Sequence, residues 1–234
     1  MLIIDSQVNI YPMTSIDDIP QIIHQTHRTH CVTNCAPVDY PHATNLMEER
    51  VQNIHKGTSP NLIWFLEHPP LYTGGSSAKP QDLLLPNAFP VYETGRGGQY
   101  TYHGPGQLVG YCMINLKEIG IDVRRYVKTL EHWILAVLDM YELKGALHDD
   151  RIGVWVTHPK TGLEKKIAAI GVRVTHGITW HGFSFNRAPN LEHFKGIVPC
   201  GLSQFDVTSL RDLGIETSFE SLICAFKDTI PELF

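Results

Sequence analysis

The 234-residue sequence has few cysteines, little net charge and no long apolar run. No stretch approaches the roughly 18 consecutive apolar residues that a membrane-spanning helix needs, so no membrane association is expected. Residues 1–10 carry neither a basic segment nor an extended apolar core, so they do not read as a signal peptide, and a cytoplasmic protein is the expectation. A net charge of −5 argues against the positive field that a nucleic-acid partner requires, so none is expected. The five cysteines, Cys31, Cys35, Cys112, Cys200 and Cys224, are odd in number and widely spaced, which points away from a disulfide framework and toward reduced thiols. Cys31 and Cys35 form a C-x3-C pair on an expected loop, but no second such pair exists to complete a metal site. Internal repeats and low-complexity tracts are absent. Neither G-x4-G-K-[ST] nor G-x-G-x-x-G occurs, which leaves a nucleotide-phosphate loop without support.

What is present is an ordinary globular composition, 43% hydrophobic and 18% charged. Residues 1–34, polar and rich in His and Thr, are expected to be an N-terminal extension, with 35–234 forming a single domain. Three- and four-residue apolar steps (Leu46, Met47, Val51, Ile54) predict a helix over 40–55, ended by Gly57 and Pro60. A longer stripe from Val123 through Tyr126, Leu130, Trp133, Ile134, Val137 and Tyr141 predicts a second helix over 123–143, terminated by Gly145. Strands are expected at 62–66, 90–94, 107–116, 153–156, 166–175 and 178–186, with a turn at Pro159 to Gly162 and a loop-rich passage around Pro80, Pro86 and Pro90. Two further helices are expected at 207–213 and 218–233. Cys112, on a strand, and Cys224, in the last helix, read as buried hydrophobes. The mixture is α+β, with helices beside a sheet.

Four segments carry possible chemistry. Cys200 is framed as Pro199-Cys200-Gly201, a sequence that can expose the sulfur and aim backbone amides at an oxyanion, although the same triplet also serves as a plain turn. Lys166 is in line with Ala168, Ile170, Val172 and Val174 on one strand face. If it is buried near Cys200, its ammonium favours the thiolate, the attacking form; a lysine that merely starts a strand at the surface is the bland alternative. The run Arg96-Gly-Gly-Gln-Tyr-Thr-Tyr-His-Gly-Pro-Gly-Gln107 has the small residues that let an acyl chain pass close to the backbone, and His103 could hydrogen-bond a carbonyl, carry a proton or be purely structural. In 177–186, aromatic and glycine residues alternate as in a strand lining an apolar slot, or one simply packing a core.

These segments, in this order, resemble the lipoyl(octanoyl) transferases. The carrying motifs are Arg96-Gly-Gly-x-x-Thr-x-His-Gly-Pro-Gly-Gln107, Lys166-Ile-Ala-Ala-Ile-Gly-Val-Arg173, His181-Gly-Phe-Ser-Phe-Asn186 and Pro199-Cys-Gly201, within residues 35–215. The resemblance implies the biotin/lipoate protein ligase-like catalytic fold, a central mixed sheet flanked by helices. It implies that an octanoyl group passes from acyl carrier protein to a cysteine thioester and then to a lysine of a lipoyl domain. The acceptors implied are the E2 subunits of 2-oxoacid dehydrogenases and the glycine cleavage H protein. By motif position Cys200 is the nucleophile and Lys166 the residue that lowers its pKa. Arg96, Gly97, Gly98, Gln99, Tyr100, Thr101, Tyr102, His103, Ala169, Ile170, Gly171, Gly182, Phe183 and Ser184 are then the substrate pocket. Because a thioester yields an amide downhill, neither ATP nor a metal is implied. Arg124, Arg125 and Lys128, off the stripe of the long helix, are the candidates for docking an acidic carrier, or else a solvated face. An ATP-dependent ligase on the same fold, or an acyl-binding protein without turnover, would share the pocket. A papain-like hydrolase lacks its C-G-[SA]-C-[WY] signature here.

Overall fold

A computed structural model describes residues 29–198 and 206–234. Ten strands and three α-helices are formed among the described residues: β1 (Thr29–Thr33), α1 (Tyr40–His55), β2 (Asn61–Leu66), β3 (Leu71–Gly74), β4 (Val91–Glu93), β5 (Tyr100–His103), β6 (Gln107–Met113), α2 (Val123–Met140), β7 (Gly145–Ala146), β8 (Val154–Thr157), β9 (Glu164–Thr175), β10 (Ile178–Asn186) and α3 (Phe219–Asp228). Seven strands make one mixed sheet in the order β1-β2-β6-β10-β9-β8-β7, in which only the β1–β2 pair is parallel. The others, β4-β3-β5, form a small second sheet. The expected α+β architecture is thus what the chain adopts.

Alternation along the central strands divides the large sheet into two cores. Ile63, Phe65, Leu108, Phe183 and Phe185 face α2 and α3, where they meet Trp133, Leu138 and Phe226. Leu62, Trp64, Val109, Tyr111 and Met113 face α1, against Met47, Val51 and Ile54. Side-chain caps start all three helices: Asp39 accepts from the His42 amide, Asp122 from Arg125 at 2.8 Å, and Ser218 from Ser221 at 3.0 Å.

Several expectations need correction. Residues 29–33, assigned to the extension, are a strand of the main sheet with Cys31 and Val32 each 1% exposed, so the extension cannot reach 34; the remainder, 1–28, lies outside the described residues. Pairing with β2, some thirty residues away, overrides the polar local composition. Cys31 is therefore on a strand, and only Cys35 lies beyond it, exposed. Helix α2 stops at Met140 rather than 143. Its C-terminus closes through Glu142, at φ +56, with the Leu143 amide bonded to the Leu138 carbonyl, so a non-glycine residue takes the left-handed position. Gly145 instead pairs with Val156 on β8, and a Cβ there would strike Leu135 and Leu138. The helix expected over 207–213 is absent: Val207 bridges in parallel to Lys166, and a turn follows at 210–214. In α3, Cys224 is exposed, because Leu222, Ile223, Ala225 and Phe226 make the buried face. Strand β3, directly after Pro69-Pro70, is too short to stand out from sequence.

Phe226 joins the helix layer to the sheet, its ring centre 5.0 Å from Phe183, 5.5 Å from Trp133 and 5.6 Å from Phe185. Phe226→Ala should lower the unfolding free energy by about 3–5 kcal/mol, read as a shift of the urea midpoint with an unchanged slope.

Candidate active site

Strands β9 and β10 make room for a cavity by pairing small residues. Gly182 lies opposite Gly171, and Ser184 opposite Ala169. The glycine-rich run lies directly on β9 here: the Gly97 amide bonds to the Val172 carbonyl at 2.9 Å, and a Cβ at Gly171 would come within 3.0 Å of Arg96 and 3.1 Å of the Gly97 oxygen. Gly182 is equally constrained, since a Cβ there would collide with the Gly110 carbonyl. The resulting cavity has a volume of about 680 Å³.

Thirteen of the fourteen expected pocket residues border this cavity, and so does Lys166. The exception is Tyr102. It packs in the small core with Tyr72, Tyr100, Phe194 and Ile197, where its hydroxyl lies 2.8 Å from His193 Nδ1; Tyr100, on the same strand face, also borders the cavity. Arg96 contributes to the wall mainly as a brace. Its guanidinium donates to the Thr73 carbonyl at 2.8 Å, to Thr73 Oγ1 at 2.7 Å and to the Gly97 carbonyl at 2.9 Å, tying β3 to the glycine run.

Lys166 is 5% exposed. Its backbone is held on both sides, by Trp155 of β8 and by the segment 206–208, which lies beside β9 beyond the end of β10. The Lys166 amide donates to the Asp206 carbonyl and the Thr208 amide to the Lys166 carbonyl, each at 2.9 Å. Its ammonium donates to the Ile152 carbonyl at 2.9 Å and lies 4.7 Å from the Trp155 ring centre. Cys200 lies outside the described residues, six positions before Asp206. Cys112 is fully buried, and desolvation raises its thiol far above the usual range, as expected of a structural cysteine; burial likewise raises Cys31, to about 11.

Sequence reasoning missed a polar group at the α1 side of the cavity: His68, Tyr111, Tyr40 and His181, beside the expected His103. Tyr111 donates to His68 Nε2 at 2.7 Å, while His68 Nδ1–H bonds to the Val38 carbonyl. His103 Nδ1–H bonds to Gln107 Oε1 at 2.7 Å, and Gln107 Nε2 to Asn186 Oδ1 at 3.0 Å. Simple alternation would put His181 on the Phe183 face. Its left-handed backbone, φ +59, turns the ring instead against Trp180, Tyr111 and the Tyr40 hydroxyl, which is 3.4 Å from Nε2. No sequence signal announces that reversal beyond the glycine that follows.

All three rings are buried, and burial is the main reason they stay neutral. His68 is lowered to about 4. His181 is lowered to about 3, by burial and then by the charges of Arg96, Arg173 and His68. His103 is held well below the usual value by burial and by His68. In the unfolded chain these rings take up protons near pH 6.5, so folding stability should fall as pH drops below 6.5 and keep falling until about 4 for His68 and about 3 for His181. The slope is at most ~1.4 kcal/mol per pH unit per ring. Thermal melts between pH 7.5 and 5 should show this decline, and the double variant His68→Gln, His181→Gln should flatten it.

Comparison with known proteins gives the family. The model of the lipoyl protein ligase A/B catalytic domain matches residues 39–230. An octanoyltransferase from Paramagnetospirillum magneticum is 55% identical over 199 residues, covering 85% of this chain and 93% of that one. One from Ehrlichia chaffeensis is 48% identical over 198 residues, covering 84% and 92%. Among solved structures, a bi-partite lipoate protein ligase from Thermoplasma acidophilum, studied with its E2 lipoyl domain, has a TM-score of 0.64 at 16% identity, covering 90% of this chain and 84% of that one. A lipoate-protein ligase A bound with ATP has a TM-score of 0.63 at 13% identity, covering 88% and 84%. These two share the fold. The small-residue floor, the glycine run laid across it and the buried lysine at its edge thus belong to a chain that is a member of the lipoyl protein ligase A/B catalytic family and, within it, of the octanoyltransferases, which are acyltransferases.

Proposed function

We propose that the octanoyl group arrives on acyl carrier protein, rests on Cys200 as a thioester and leaves as an amide on a lysine of a lipoyl domain. The observation that carries this reading is the burial of the Lys166 ammonium in the wall of a cavity whose floor is kept open by Ala169, Gly171, Gly182 and Ser184. Burying six methylenes of the acyl chain contributes about 5 kcal/mol to binding.

The proton count closes with two side chains. Lys166 takes the Cys200 proton, and the thiolate attacks the carrier thioester. The carrier sulfur leaves and takes the proton from Lys166. The neutral amine of Lys166 then accepts a proton from the incoming lipoyl-domain lysine as that lysine attacks the acyl-enzyme, and Cys200 departs as thiolate beside a restored ammonium. The thioester supplies the driving force, so the reaction needs neither ATP nor a metal ion. Acceptors of this kind are the E2 subunits of 2-oxoacid dehydrogenases and the glycine cleavage H protein. We assign the reaction to the cytoplasm; no described helix is long and apolar enough to cross a membrane.

An acidic carrier fits the entrance at the start of α2. Val123 and Val127 border the cavity, and Arg124 and Arg125 are exposed beside them in the first turn. Cations there oppose the helix dipole, so they do not serve helix stability. Lys128 is unsuited to docking, because it is paired with Glu131 at 3.3 Å and Asp149 at 3.5 Å.

Incubation with octanoyl-carrier protein and no ATP should add one octanoyl mass to Cys200, and added lipoyl domain should discharge it. Free octanoate with ATP and Mg²⁺ should not label the protein. Labelling only in the ATP arm would overturn the reading in favour of a ligase. Reversing charge at both Arg124 and Arg125 should raise KM for the carrier about tenfold at low salt, with the difference shrinking as salt rises.

A further inference from the structure

Helix α2 carries a carboxylate in an improbable place. Glu131 is 1% exposed and sits between Leu130 and Trp133 in the buried stripe of the helix. A buried charge is unfavourable unless it is paired and hydrogen-bonded, and a leucine would pack there at lower desolvation cost. Among the described residues, Lys128 and Gly153 meet Glu131. Lys128, one turn earlier, approaches Oε2 at 3.3 Å from the surface, and the Gly153 amide donates to Oε1 at 3.3 Å.

Gly153 is the residue against which Lys166 lies. It has φ +124, and a Cβ there would stand 2.7 Å from the Ala168 oxygen, 3.2 Å from Lys166 Cε and 3.3 Å from Lys166 Nζ. The preceding residue, Ile152, supplies the carbonyl that receives the Lys166 ammonium at 2.9 Å. The turn entering β8 therefore touches the lysine with its carbonyl and touches Glu131 with the next amide along the chain.

We propose that Glu131 is a positioning residue for Lys166: by holding the Gly153 amide it fixes the turn whose Ile152 carbonyl receives the lysine ammonium, and so sets where that amine stands in the cavity wall. This rests on the reading of Lys166 as the group that ionises Cys200. Lys128 belongs to the same device as the surface counter-ion of the buried carboxylate.

The test follows iodoacetamide alkylation of each cysteine in the full chain against pH, by peptide mass, in the wild type, Glu131→Ala, Glu131→Gln and Lys166→Ala. Cys35 and Cys224 are exposed and report reagent activity, while Cys31 and Cys112 are buried and report loss of structure. Lys166→Ala should slow Cys200 about tenfold at pH 7, the effect of raising a thiol by one pH unit. Glu131→Ala should slow Cys200 several-fold and move its profile toward higher pH, with Cys31 and Cys112 still protected. Glu131→Gln, which keeps an acceptor for the Gly153 amide, should stay within about twofold of wild type. A wild-type Cys200 profile in Glu131→Ala beside a shifted Lys166→Ala overturns the positioning role alone. So does slowing accompanied by exposure of Cys31 and Cys112, or a Glu131→Gln as impaired as Glu131→Ala. An unshifted Lys166→Ala overturns the reading of the lysine itself and the positioning role with it.

Discussion

Strand β10 is buried along its whole length, and its two faces bury different things. Phe183 and Phe185 pack against Phe226 of α3, with Phe183 also meeting Trp133 of α2. Gly182 and Ser184 bury almost no volume of their own, and the space they leave, together with Gly171 and Ala169 on β9, is the cavity. One strand thus closes the core and opens the pocket. Packing at native density around Phe183 and Phe185 holds the backbone rigid, and that rigidity keeps the neighbouring void from collapsing.

Against this floor the buried charges of Arg96, Lys166 and Glu131 each meet a partner. Arg96 spends its donors on Thr73 and Gly97. The Lys166 ammonium meets a carbonyl and an indole face, and Glu131 meets an amide and a surface lysine. A single peptide group connects the last two, its Ile152 carbonyl receiving the cation at the edge of the cavity and its Gly153 amide donating to the carboxylate in the helix. The wall of the cavity is therefore held from the helix layer as well as from the sheet.

Much of this was legible in the sequence. The first helix and β10 have the expected bounds, because their apolar periodicities run unbroken between clear stop signals. Residues of three sequence motifs converge on one cavity. What escaped notice did so for identifiable reasons. Strand β1 depends on a distant partner, as does the pairing of Val207 with Lys166 that replaces an expected helix. Tyr102 packs in the small core while His181 breaks parity through its backbone, so two residues of similar motifs end in places that a list of residues cannot assign. Glu131 was hidden in an apolar stripe whose buried face it shares.

The three histidines carry a consequence for enzymology. Since burial lowers His68 to about 4 and His181 to about 3, and holds His103 well below an ordinary imidazole, these three rings keep one charge state across the neutral range. Imidazole is the habitual suspect for an inflection between pH 6 and 8 in a turnover curve. These three rings do not supply one.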